Sequence, residues 1–304
     1  MIPGNAMRYF SVSAQCGSFR AASEQLHVAT SAISRQIKLL EDELGEPLFE
    51  RSAGRKQLRL TAAGELLMNY IRNDESEMRR MRSDIDALKG MRRGKINFGV
   101  PASFVRDFLP ETLAAFQQQY PNITYNIQVS GTPKLLEMLA RDELDFALSF
   151  NPQPMSDIKH IYEMLLPTCV LAHVTHPLAS KKSVRLSDCA EYDIALPDSS
   201  VSAKIVYDQM FSDSRIEPRT NLTSNSYELL RSMAIQGLSI AIVNSHISHS
   251  SSSKTQYRYI PFDDPRVKPQ RLTCCIRRGR NLSVTALTLI EFFKKSLFQL
   301  ENNK

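Results

Sequence analysis

The sequence predicts an all-α-rich N-terminal part, a winged helix-turn-helix with a long linker helix, followed by a larger α/β part. Three observations predict it. Residues 6–60 alternate short helical patterns with small breaks. Residues 65–89 form a helical stretch that no Pro or Gly interrupts. Beyond Gly94, strand-like apolar runs alternate with amphipathic stretches, the pattern of parallel strands covered by helices. At 304 residues the chain has room for about two domains.

Met7, Phe10 and Ala14 recur at helical spacing, so residues 5–15 read as a first helix. Gly17 ends it, and Ser18 is placed to cap a second helix from Phe19 to Leu26. A break at His27–Ala29 precedes a third helix, Thr30 to Leu44, which Gly45 stops. Ile33, Ile37, Leu40 and Leu44 form a stripe for a core on this third helix. Ser31, Ser34, Arg35 and Lys38 share another face. Small and cationic residues on the outer face of the second of two helices joined by a short turn fit a helix-turn-helix. Residues 47–60 then place two short apolar segments around a basic tip holding Arg55 and Lys56. This reads as a hairpin wing able to hold phosphates.

Thr61 can cap the long helix. Leu67, Ile71, Met78, Met81, Ile85 and Leu88 follow a 4-3 spacing, with Asp74 at the one polar slot. Such a seam suits pairing between two chains. At ~1.5 Å per residue the helix reaches almost 40 Å. Residues 90–94 read as a hinge because two glycines flank Arg92 and Arg93. After it, 95–100, 123–129, 145–150, 169–174, 192–196 and 239–243 read as strands. Segments 109–120, 134–141, 204–211, 227–236 and 289–300 read as helices. The polar run 245–253 reads as a mobile loop. The organisation is therefore 1–60, 61–89, 90–94 and 95–304.

The formal net charge of +6 favours polyanions, but it does not place the contact. Residues 1–93 hold 15 Lys and Arg against 12 Asp and Glu, and the remainder is equally basic in net terms. The five cysteines lack C-x-x-C spacing, which excludes a disulfide framework and a zinc set. Cys274 and Cys275 sit in an apolar run and should face opposite sides of a strand. There is no basic and apolar leader pattern and no run of 18 apolar residues, so the protein is expected in the cytoplasm, off the membrane. Phosphate-loop, dinucleotide and nucleophile-elbow motifs are absent, and the pairs His173/His176 and His246/His249 lack a peptidase Glu. No enzyme activity, cofactor or metal is expected.

A longer set of residues carries a resemblance. Gly17-Ser18-Phe19, Ala21-Ala22, Leu26-His27-Val28, Ser31 through Ile37, Leu40-Glu41, Leu44-Gly45, Pro47 through Arg51 and Leu60 through Glu65 resemble the N-terminal signature of LysR-type transcriptional regulators. Gly94 through Gly99, Tyr120-Pro121, His176-Pro177-Leu178 and Gly237 through Ala241 extend the likeness. Ala29 and Thr30 depart from the family's usual Ser with Gln or Pro. The resemblance implies a dimerising linker helix and a two-lobed, periplasmic-binding-protein-like α/β effector domain. It implies a sequence-specific DNA-binding regulator, modulated by a small-molecule effector between the lobes. Implied partners are double-stranded operator DNA, a small and possibly anionic effector, a second copy forming a homodimer or homotetramer, and RNA polymerase.

On DNA, Thr30, Ser31 and Arg35 are the candidates for base contact. Ser34, Lys38, Arg51, Arg55 and Lys56 are the candidates for phosphate. For the effector, Ser103, Ser130, Thr132 and Phe150 follow strand ends in one lobe, and Ser202 and Ser226 approach from the other. The alternative is a cytoplasmic small-molecule-binding protein without operator-specific DNA binding.

Overall fold

The computed structural model describes residues 4–50, 58–88, 94–106, 108–199, 203–244 and 256–302, and the side chains among them except 86–88 and 299–302. The chain divides into two compact units, Met1–Arg79 and Arg80–Lys304, so the division falls inside the linker helix.

In the first unit, α1 (Gly4–Cys16), α2 (Phe19–Leu26) and α3 (Thr30–Leu44) form where the periodicity places them. The Ser18 hydroxyl accepts from the Ala21 N–H at 3.0 Å and starts α2. His27 adopts a left-handed conformation that ends α2. The Ser23 hydroxyl then donates to the Val28 carbonyl at 2.6 Å and fixes the turn into α3. Gly45, at φ 75°, terminates α3. Ile33, Ile37 and Leu40 are buried, but Leu44 lies in solvent because the core ends one turn earlier.

Two segments complete this unit. Phe49 and Leu60 pair as an antiparallel bridge, the base of the expected hairpin. Its tip, with Arg51, Arg55 and Lys56, lies outside the described residues. The Glu41 carboxylate accepts from the Leu48 N–H at 2.7 Å and ties this hairpin to α3. Thr61 caps α4 (Ala62–Leu88) by accepting from the Gly64 N–H at 3.1 Å. A Cβ on Gly64 would stand 2.2 Å from the Leu48 carbonyl oxygen, so only glycine allows the close approach.

The expected 4-3 seam is divided by burial. Leu67 and Ile71 are buried with Phe10, Ile33, Ile37, Leu48 and Phe49 in the core of this first unit. Their side chains are taken up by the core of this unit, whereas the sequence places them in the pairing seam. Met78, Met81 and Ile85 are exposed, as are Leu66 and Tyr70 on the same helix.

The second unit contains two five-stranded sheets. The first lobe has β1 (Gly94–Val100), β2 (Ile123–Val129), β3 (Phe146–Phe150) and β4 (Ile158–Leu166). Its helices are α5 (Phe108–Gln119) and α6 (Thr132–Ala140). The second lobe has β5 (Thr168–His173), β6 (Asp193–Pro197), β7 (Arg219–Ser224), β8 (Ile240–Asn244) and β9 (Tyr257–Pro261), with helices α7 (Leu186–Cys189), α8 (Ala203–Ser214) and α9 (Tyr227–Ile235). The chain then returns to the first lobe as β10 (Gln270–Arg277) and α10 (Val284–Asn302). The sheet orders are β2-β1-β3-β10-β4 and β7-β6-β8-β5-β9.

The sheets are mixed, where parallel strands alone were expected. β10 runs antiparallel to β3 and β4, and β5 runs antiparallel to β8 and β9. The reason is the chain path: each crossing between lobes enters the next sheet from the opposite end. Gly94, expected in the hinge, is the first residue of β1 and pairs with Ile123. The rest of that hinge and the Ser-rich run lie outside the described residues. Cys274 and Cys275 do face opposite sides of β10, one in each of two apolar clusters. Burial pushes the Cys274 thiol well up and the Cys275 thiol to about 12, so neither is poised for thiolate chemistry. No helix among the described residues is long and apolar enough to cross a membrane.

Candidate functional site

Two surfaces gather the sequence-predicted residues. The first is the outer face of α3. Thr30, Ser31, Ser34, Arg35 and Lys38 are all exposed, while Ile33, Ile37 and Leu40 anchor the opposite face in the core. α3 is thus a rigid rod with its polar side turned outward. Its N-cap is Ala29, which has no side chain to bond the first N–H groups. The positive end of the helix dipole is thus left without a side-chain cap, an arrangement that suits a phosphate.

The second surface lies where the lobes meet. The carboxyl ends of β1 and β2 are joined by the Ser130 N–H bonding the Val100 carbonyl at 3.2 Å. Ser103 stands in the single 3₁₀ turn Ala102–Phe104 that follows β1. Ser103 and Ser130 are both half-buried. Thr132 opens α6 and is buried. Its hydroxyl donates to the Phe150 carbonyl at 2.9 Å and accepts from the Phe150 N–H at 3.1 Å. Its proton therefore serves the end of β3, where a ligand contact was expected. The Phe150 ring packs 5.9 Å from Phe104 against the first-lobe core, so it too is mainly a packing residue.

From the second lobe, Ser226 is exposed and caps α9, accepting from the Leu229 N–H at 3.3 Å. A hydroxyl that accepts in this way keeps its own proton to donate. Ser202 lies outside the described residues. Behind this rim, Tyr207 donates to the Ile242 carbonyl at 3.1 Å. Burial pushes the Tyr207 hydroxyl to about 12 and that of Tyr227 well above its ordinary range. Both stay neutral, so they add no charge to the rim.

Two features escaped sequence reasoning. Asn151, at φ 46°, ends β3. Its side chain donates to Gln270 at 2.6 Å and accepts from the Arg271 N–H at 3.0 Å, locking the start of β10. Arg106, just beyond the turn after β1, pairs with Glu228 in the first turn of α9 at 2.7 Å. This pair joins the segment that follows β1 in one lobe to the start of α9, which follows β7 in the other. The partners are 122 residues apart, and no local pattern couples them.

A family profile described as bacterial regulatory helix-turn-helix protein, lysR family, matches residues 5–65. One described as LysR substrate binding domain matches residues 89–297. The RuBisCO operon transcriptional regulator of Allochromatium vinosum is 29% identical over 94% of this chain and 93% of its own. The transcriptional activator CmpR of Synechocystis is 28% identical over 77% of this chain and 76% of its own. Full-length OxyR from Pseudomonas aeruginosa superposes with a TM-score of 0.68 at 22% identity, covering 98% of this chain and 95% of that one. Full-length CbnR, solved with its target DNA, gives 0.61 at 21% identity, covering 96% and 99%. The chain belongs to the LysR family of DNA-binding transcriptional regulators, with a helix-turn-helix reader and an effector-binding domain of two α/β lobes.

Proposed function

We propose that α3 enters the major groove of operator DNA, with Thr30, Ser31 and Arg35 toward base edges and Ser34 and Lys38 toward phosphates. Arg51, Arg55 and Lys56 of the hairpin tip hold phosphates beside it. A second copy, paired through the exposed stripe of α4, supplies the other half-site reader. A homodimer or homotetramer follows, acting in the cytoplasm in a regulatory role and with RNA polymerase as a further partner.

A small anionic metabolite, in this reading, binds where the lobes meet. The observation that carries it is the meeting of the segments that follow β1 and β7, joined by the Arg106–Glu228 pair at 2.7 Å. In open α/β sheets, ligands take the carboxyl ends of the strands. Ser103 and Ser130 supply hydroxyls from one lobe and Ser226 from the other. The effector domain of QuiR, of the same fold at a TM-score of 0.56, is solved with shikimate, a small carboxylate.

The test is an operator titration with the full chain. Arg35→Ala should weaken binding by about 1–3 kcal/mol if Arg35 reads a base. Its fold should hold, because the side chain lies on the exposed face. Addition of small carboxylates and phosphates should shift the wild-type titration for at least one compound. Unchanged affinity in a folded Arg35→Ala protein overturns the base assignment.

A further inference from the structure

We propose that Arg106 and Glu228 form a latch that closes the two lobes on each other, and that this latch sets the balance on which a ligand acts. The regulatory half of the proposal rests on the reading of the lobe junction as the effector site.

The geometry is specific. Arg106 follows the 3₁₀ turn at the end of β1, a segment anchored by buried Phe104. Glu228 lies in the first turn of α9, two residues after the capping Ser226. Each residue is thus held by an element of its own lobe, and the 2.7 Å contact crosses between them. The lobes also meet where the chain crosses between them, and there Thr168 donates to the Lys268 carbonyl at 3.3 Å. The ion pair joins the lobes separately, through side chains that are partly exposed to solvent.

The strength of the pair suits a switch. The Arg106 and Glu228 side chains are 38% and 58% exposed. An ion pair so exposed changes an equilibrium by about two- to fivefold. Opening costs neither partner much, since water replaces the lost contact. The positive end of α9 also keeps the Glu228 carboxylate comfortable when the pair is apart. Open and closed arrangements therefore stay close in free energy, and modest extra contacts from a ligand can move the population. An anion entering beside Arg106 would compete with Glu228 for the guanidinium, while one bonded by both lobes would reinforce closure. In either case the latch defines the starting point.

The experiment uses the full chain without ligand. Amide hydrogen exchange is measured in 102–106 and 226–230 for wild type, Arg106→Glu, Glu228→Arg and the exchanged pair carrying both. Each single reversal places like charges at the rim and should speed exchange about two- to fivefold in both segments. The exchanged pair should restore the wild-type rates. A reversal that leaves the opposite segment unchanged, or a double variant that fails to restore it, overturns the latch. Operator affinity is measured on the same four proteins. If exchange follows the latch pattern while operator affinity is identical in all four, closure is real and its regulatory role is overturned. If affinity follows the latch but no anion shifts it, the effector reading fails and the latch stands.

Discussion

At the scale of single residues, hydroxyls placed by sequence at strand ends divide into two kinds. Ser103 and Ser130 stand half-buried at the junction of the lobes. Thr132 is committed to both backbone groups of Phe150. The sequence made all three look alike, because each is a small polar residue after an apolar run. What separates them is a contact over 18 residues, which spacing does not encode. Thr132→Val removes both bonds while keeping the shape. It leaves a buried N–H and carbonyl without that partner, at a cost of about 1–3 kcal/mol. Urea denaturation of the full chain should show that loss in the transition of the first lobe, and Thr132→Ser should recover most of it. An unchanged transition would mean that water replaces the hydroxyl.

At the scale of elements, α1, α2, α3 and α4 were legible almost to the residue. Their apolar periods, the Ser18 and Thr61 caps and the Gly45 stop all point the same way. The central strands β1, β3, β5, β6 and β8 were legible as apolar runs. The edges were not. β7, with the sequence Arg-Thr-Asn-Leu-Thr-Ser, is mostly exposed. β4 and β9 border their sheets and mix polar with apolar residues without a regular alternation. An edge strand needs less apolar surface, so it leaves a weaker signal. The linker helix shows the opposite error: its period was correct, but period alone does not say which core receives each residue. Leu67 and Ile71 close the helix-turn-helix core, whereas Met81 and Ile85 project outward. Met81→Lys with Ile85→Lys should therefore lower the oligomeric state in sedimentation with little change in the melting of the first unit. Ile71→Lys should instead unfold that unit, at a cost of several kcal/mol, about what a buried unpaired charge imposes. Wild-type assembly by the Met81 and Ile85 variant would move the main interface elsewhere.

At the scale of the whole molecule, the first lobe is discontinuous in sequence. Its core joins Phe98, Phe108 and Phe146, from residues before 150, to Leu289, Ile290, Phe293 and Leu297 of α10. Phe293 meets Phe98 at 5.6 Å, Phe108 at 5.8 Å and Phe146 at 6.0 Å. The second lobe has its own cluster, built between Val170 and Ile260. A chain ending at Leu282 loses those four large α10 side chains, worth about 1.5–3 kcal/mol each when buried. That loss is comparable to the stability of a typical domain, about 5–15 kcal/mol. Hydrogen exchange in the shortened chain should show β1 and β3 unprotected while β6 and β8 stay protected. Protection throughout would mean that the first sheet closes without its last helix.

The same discontinuity gives biosynthesis a schedule. The second lobe can fold as soon as Pro261 leaves the ribosome. The first lobe has its aromatic face made by Phe150 but covered only when α10 arrives. At roughly 5–20 residues per second, that face waits on the order of 8–30 s for its cover. During this interval the nascent chain already carries a complete helix-turn-helix and an incomplete sensor. A pause in translation late in the message would lengthen the exposure. Aggregation and chaperone capture should therefore depend on codon speed between β3 and α10 more than anywhere else in the chain.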